Sequence, residues 1–386
     1  MKIIHTSDWH IGKVINERSL LDDQADVLTA WISQVAEMGP DLVIIAGDLY
    51  DRSLPNRESV HLCNQLLTQM SEEIACPICI ISGNHDSGER IDYASAILEK
   101  EGLYLEGMVK KEIRRVCLEE ADVYLLPYSD YGQIQKLYPD QTIRSMADAL
   151  AVQIQTIKAG DWRPDRLNLL VFHGYVTNVD LDEAGADLEH TESERPLSMG
   201  NSAYVPADLF EDFDYVALGH LHGRQFVKNQ HIYYSGSPLK YSKSEARQRK
   251  VFLEVDLTKE DLTVTPHPIQ PKYDLRQVKG TFEDLMADQS DDYLYVELTD
   301  AQPVHEAMAR LRQVYPHIMA LTYSALEVDQ PQSETGYQAQ QKEALDQVFA
   351  DFYEDQTGQV LTAYQEQVVK QIMAEAQGRG EEAGDQ

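Results

Sequence analysis

Residues 41–51 read DLVIIAGDLYD and residues 76–86 read CPICIISGNHD. Each is a short apolar run that ends on a glycine followed at once by an oxygen or nitrogen donor. Runs of Leu, Val and Ile without polar interruption suit strands covered on both faces, and a terminal glycine lets the chain turn. Further out, the same design recurs as KIIHTSDWH at 2–10, LNLLVFHG at 167–174 and YVALGHLH at 215–222. Amphipathic stretches at 19–38 and 56–72 separate the first three runs and read as helices. DVYLLPY, HIYYSGSP and KVFLEVDL add further strands. Strand and helix alternation of this kind predicts packed sheets flanked by helices.

The donors at the run ends form a coherent set. Asp8 and His10 are separated by one residue, so on an extended chain both would face the same way and grip one ion. Asp48 offers a carboxylate able to bridge two cations, Asn84 an amide oxygen, and His85 a proton-transfer group beside them. His173, His220 and His222 complete the set. Asp8, His10, Asp48, Asn84, His173, His220 and His222 furnish two metal shells with a shared carboxylate, suited to Mn²⁺, Fe²⁺ or Zn²⁺ rather than to a thiolate-seeking metal. Two ions about 3.5–4 Å apart would clamp both oxygens of an in-line phosphoryl displacement. The remaining seven histidines lie outside the motifs and read as structural or exposed.

The chain has 386 residues, 43% of them hydrophobic and 25% charged, as expected of a soluble globular protein. No apolar run reaches membrane-spanning length, and the start lacks an export segment, so a cytoplasmic location without membrane partners is expected. Four cysteines fit a reducing compartment, and Cys76-Pro-Ile-Cys79 opens an apolar strand, which disfavours a redox or metal reading. The formal charge of −32 argues against a general nucleic-acid binder, although a local field or bound dications can still attract phosphate. An acidic interruption at 180–201 reads as a loop overhanging the motifs.

DxH, GDxxD, GNHD, a lone His-Gly and GHxH, in this order, resemble the calcineurin-like metallophosphoesterase superfamily. Within it the flanks HTSDWHIGK, GDLYDRSLPN, SGNHDS and SGSPLKYSKSE resemble the nuclease subunits of bacterial SbcCD-type repair complexes. The resemblance implies an α/β fold, a four-layer α/β sandwich at 1–271 with the dimetal site at a sheet edge, and a small α+β capping domain at 272–328. It implies two Mn²⁺, with Mg²⁺ or Fe²⁺ as substitutes. Asp8, His10 and His222 would bind one ion, Asn84, His173 and His220 the other, and Asp48 would bridge. His85 would act on the scissile phosphate or the leaving 3′-oxygen after metal-activated water attacks. Archaeal relatives carry histidine where this chain has Asp51, so that residue's role is not carried over. The implied activity is 3′–5′ double-strand exonuclease and single-strand or hairpin endonuclease action in DNA repair and recombination.

Partners follow from the same resemblance: DNA ends and hairpins, a second copy of the chain, and an SbcC-type coiled-coil ATPase in a heterotetramer. No P-loop pattern occurs here, so ATP hydrolysis belongs to the other chain. A linker at 329–339 precedes two amphipathic helices at 340–377, whose stripes include Leu345, Phe349, Phe352, Leu361, Tyr364 and Val368, a docking element for that ATPase. Residues 240–250 hold five basic residues against one acid and offer a contact for the phosphate backbone or a solvated loop. Two other functions share the motifs: a metallophosphoesterase for small substrates, and an adaptor that mainly organises the ATPase.

Overall fold

The computed structural model describes residues 1–178, 188–194, 203–228 and 231–324, with Thr362 and Gln365. Met1–Tyr323 form one compact unit and Ser324–Gln386 another. The linker at 329–339, the docking helices at 340–377 apart from Thr362 and Gln365, and most of the acidic interruption fall outside the described residues.

Two six-stranded sheets make the body. From edge to edge the first runs Leu262–Pro268, Val251–Leu257, Lys2–Thr6, Leu42–Ala46, Ile78–Ile81 and Leu103–Glu106. Its last four strands are mutually parallel. The second runs Gln225–Val227, Ile232–Tyr234, Tyr215–Gly219, Leu167–His173, Ala121–Leu126 and Arg114–Cys117. Side-chain alternation along one strand shows the layering. On Leu42–Ala46, Val43 and Ile45 pack against helices, whereas Leu42, Ile44 and Ala46 join Val123, Leu169 and Ala217 of the second sheet. Both faces are covered, which is why the run is apolar throughout.

The outer layers follow from periodicity. In the helix Leu21–Met38 the buried Leu28, Trp31, Ile32 and Val35 share one face, which packs on the first sheet. Gly39 ends it in the left-handed conformation, φ 58°, donating its N–H to Ala36. The neighbouring helix Arg57–Glu73 starts on Asn56, whose side chain accepts the Ser59 N–H. Met146–Ala159 covers the far face of the second sheet through Leu150 and Ile154. Each such buried aliphatic side chain contributes roughly 1.5–3 kcal/mol. The order helix, sheet, sheet, helix is the expected four-layer sandwich.

A third sheet of three parallel strands, Leu275–Gly280, Tyr293–Leu298 and Ile318–Tyr323, has its own apolar cluster around Leu294, Val296 and Leu311. It rests on the body through Ile15, Leu20, Val27, Leu239 and Tyr241, which meet Leu275, Tyr293 and Tyr295. Its helix Ala307–Leu311 begins after Glu306, which takes φ 53° and so ends any helical turn before it.

Candidate metal centre

The motif residues gather where the parallel strands of both sheets end. His173 is the last residue of its strand, His220 follows Gly219 directly, and His222 lies two residues further on. At Gly219 a Cβ would lie 1.9 Å from the Ala46 carbonyl oxygen, so only glycine lets the sheets approach here. His173 ties the same junction, its Nδ1–H donating to Ala46 O at 2.9 Å. One expectation fails at the first motif. The strand stops at Thr6, and Asp8 and His10 take φ 54° and 47°, so no extended chain carries them. They are held in a loop by backbone bonds, Asp8 N–H to Gly47 O and His10 N–H to Asp48 O, each 3.0 Å. Asp48, at φ 52°, and His220, at φ 111°, are likewise in conformations that disfavour a Cβ.

Electron-rich atoms converge. His10 Nε2 lies 3.0 Å from His222 Nε2. Asn84 Oδ1 lies 3.0 Å from His173 Nε2 and 2.9 Å from His220 Nδ1. Asp48 Oδ2 stands 3.5 Å from both His10 Nε2 and His173 Nε2, between the two groups. Asp8, His10 and His222 form one compact donor cluster, and Asp48, His173 and His220 a second. His10 Nδ1 and His220 Nε2 are buried and make no hydrogen bond. Nitrogens facing nitrogens and oxygens repel unless a cation or proton lies between them. Two ligands on one ion at ~2.1 Å and a right angle would themselves be ~3 Å apart. The set thus fits divalent cations.

Electrostatics agree with this reading. Burial pushes the His10 and His220 rings well below their ordinary range, leaving them neutral as ligands must be. Burial opposes the charge on Asp48 too, but the attraction and hydrogen bond of His173, with His10 and His85, hold its carboxyl well below the usual value. Burial lowers His173, yet Asp48 outweighs it and pulls the ring up to about 9. A cation binding there competes with a proton. Burial raises Asp8 to about 6, against the pull of His173 and His222.

His85 sits beside this set, its ring edge-on to His10 with centroids 4.6 Å apart. Its Nδ1–H donates to Asp51 O at 2.8 Å, so the neutral ring keeps its proton there and its lone pair on Nε2. Asp51 turns its carboxylate to Lys13 Nζ at 2.8 Å, with His10 Nδ1 at 3.7 Å. Arg52 is exposed and 3.6 Å from Asp51, an ion pair at the rim.

Sequence reasoning passed over several neighbours. Asp86 accepts backbone N–H groups from Gly83, Leu49 and Tyr50 at 2.9–3.0 Å, joining the Asp48 and Asn84 loops. Ser193, Glu194 and Glu245 surround His222. The basic stretch at 240–250 divides: Lys250 is buried on Glu245, and Lys240 pairs with Asp274. Arg247 and Arg249 remain exposed, with Lys243 half-buried. Burial drives the Cys76 and Cys79 thiols up to about 12, so the CPIC pair is inert at neutral pH. No helix among the described residues is long and apolar enough to cross a membrane.

Comparison with known proteins bears on all of this. The calcineurin-like phosphoesterase family matches residues 1–224, and the type 5 capsule protein repressor C-terminal domain matches residues 271–357. The SbcD subunit of the SbcCD nuclease from Staphylococcus saprophyticus is 32% identical over 382 residues, covering 97% of this chain and 98% of the relative. Its counterpart in Staphylococcus epidermidis is 32% identical over 381 residues, with the same shares covered. A solved dimetal phosphatase from Danio rerio aligns with 70% of this chain and 96% of its own at 11% identity and a TM-score of 0.41, a likeness too loose to add to the assignment. Matched nearly end to end by such relatives, the chain belongs to the calcineurin-like phosphoesterase family and, within it, to the group of SbcD nuclease subunits.

Proposed function

We propose that the chain is the Mn²⁺-dependent nuclease subunit of an SbcCD-type complex, acting in the cytoplasm as a 3′–5′ double-strand exonuclease and a single-strand or hairpin endonuclease. One observation carries the reading: Asp48 Oδ2 lies 3.5 Å from a histidine of each donor cluster, the placement a bridging carboxylate needs. Asp8, His10 and His222 would hold one ion, Asn84, His173 and His220 the other. When bound, such ions supply polarisation of the phosphoryl oxygens and activation of the attacking water. The chain's own residues do the rest. The carbonyls of Ala46 and Asp51 fix the Nδ1 protons of His173 and His85. His85, with its Nδ1 proton fixed by that bond, would take a proton from solvent at Nε2 and, so charged, would stabilise the scissile phosphate or give that proton to the leaving 3′-oxygen.

DNA as the substrate is supported by the relatives, whose name is that of a nuclease subunit, at 32% identity over nearly the whole chain. Arg247 and Arg249, with Lys243, are candidates to hold the phosphate backbone, since the turn they flank also carries Glu245 against His222. An SbcC-type ATPase would supply ATP hydrolysis and dock on residues 340–377. The test is cleavage of end-labelled duplex and hairpin DNA by the purified full chain with Mn²⁺, with and without that ATPase, beside cyclic nucleotides and phosphomonoesters. DNA cleavage that chelation abolishes is expected. Turnover of the small esters with none on DNA, with or without the ATPase, would overturn the substrate assignment.

A further inference from the structure

His222 is held at nearly every polar atom by residues outside the motifs. Its backbone N–H donates to Glu194 Oε1 at 2.8 Å, and its carbonyl accepts from Lys250 Nζ at 2.8 Å and Ser237 N–H at 3.2 Å. Its Nδ1 lies 2.8 Å from Ser193 Oγ and 3.3 Å from Glu245 Oε1. Only Nε2 is left to the metal centre, facing His10 Nε2. Glu245 is fully buried, and its second oxygen takes Lys250 Nζ at 2.5 Å.

We propose that Glu245, both directly and through Ser193, is the positioning residue that makes His222 a metal ligand. The Ser193 hydroxyl donates to Glu245 Oε1. Its remaining capacity toward His222 is therefore as an acceptor, and a carboxylate can only accept. Both partners thus require the ring proton on Nδ1, which leaves the Nε2 lone pair for a cation. Lys250 keeps the carboxylate paired and at the same time fixes the His222 carbonyl, so the ring's position and its tautomer are set by one assembly. A buried ion pair is a poor device for stability alone, because apolar residues of similar volume serve as well. Its placement against a ligand histidine gives it another purpose. Ser193 and Glu194 belong to the acidic interruption, so that segment contributes directly to the centre's support.

This assignment rests on the dimetal reading above, and Mn²⁺ binding separates the two. The full chain is compared with Ser193→Ala and with a Glu245→Gln, Lys250→Met double variant that leaves no lone buried cation. Mn²⁺ uptake is read by titration calorimetry, and the electron paramagnetic resonance spectrum is recorded at two equivalents. Melting in chelator checks the fold. The wild type is expected to take two ions. In the variants one step keeps its affinity and the other weakens roughly 10–100-fold, and the coupled-pair spectrum gives way to the six lines of isolated Mn²⁺. Should the double variant fail to fold, Ser193→Ala, which removes a single hydroxyl, decides. Two unchanged steps overturn the assignment, as does equal weakening of both with a lower melting temperature in chelator. A wild-type chain that takes fewer than two ions overturns the dimetal reading and this assignment with it.

Discussion

Asp8, His10, Asp48 and His220 all carry a positive φ, and each such backbone costs on the order of 1–3 kcal/mol that the surrounding structure must offset. The cost is met where backbone bonds from Gly47 and Asp48 hold the first motif in place. Removing the His85 ring leaves these supports untouched. His85→Ala is therefore expected to keep Mn²⁺ uptake, measured by calorimetry, while DNA cleavage falls roughly 10²–10⁴-fold. Loss of metal together with activity would instead make His85 a ligand. The identities of the motif residues were legible in the sequence because each follows an apolar run. Their backbone was not. Alternation applies only while a strand continues, and this strand ends at Thr6, two residues before Asp8. Ser193 and Glu245 were illegible for another reason: each meets His222 from more than twenty residues away, a proximity only the folded chain creates.

At the scale of elements, the junction of the two sheets is the sensitive place. Gly219→Ala would set a methyl 1.9 Å from Ala46 O, forcing the sheets apart beside His173. A loss of about 1–3 kcal/mol or more in denaturant unfolding is expected, with weakened Mn²⁺ uptake. Between the same sheets His5 accepts the Tyr215 hydroxyl at Nδ1, 2.9 Å, and donates from Nε2 to Leu218 O, 3.1 Å. Burial lowers its pKa from 6.5 to about 3. The unfolded chain takes up the extra proton below pH 6.5, so this group costs stability as pH falls from 6.5 toward 3 and has no effect above. His5→Gln, which bonds but does not titrate, should give a shallower decline of melting temperature between pH 6.5 and 4; parallel declines would contradict this. The central strands and the helices Leu21–Met38 and Arg57–Glu73 could be read from periodicity. Arg114–Cys117 and Leu262–Pro268 could not, since edge strands tolerate the charge and proline that blur their pattern.

For the whole molecule, the net charge of −32 sets the field a polyanion meets. Of the five basic residues at 240–250, two are spent inside, so Lys243, Arg247 and Arg249 remain as the local counterweight. Replacing Arg247 and Arg249 together with Ala should weaken DNA binding without regard to sequence and reduce the salt slope of affinity by about 2. An unchanged slope would place the DNA elsewhere. The central claim, that two ions share Asp48, is tested most directly by anomalous scattering from crystals of the full chain soaked in Mn²⁺. Two peaks about 3.5–4 Å apart, both within bonding reach of the Asp48 carboxylate, are the expected result. A single peak, or two that do not share Asp48, would contradict it.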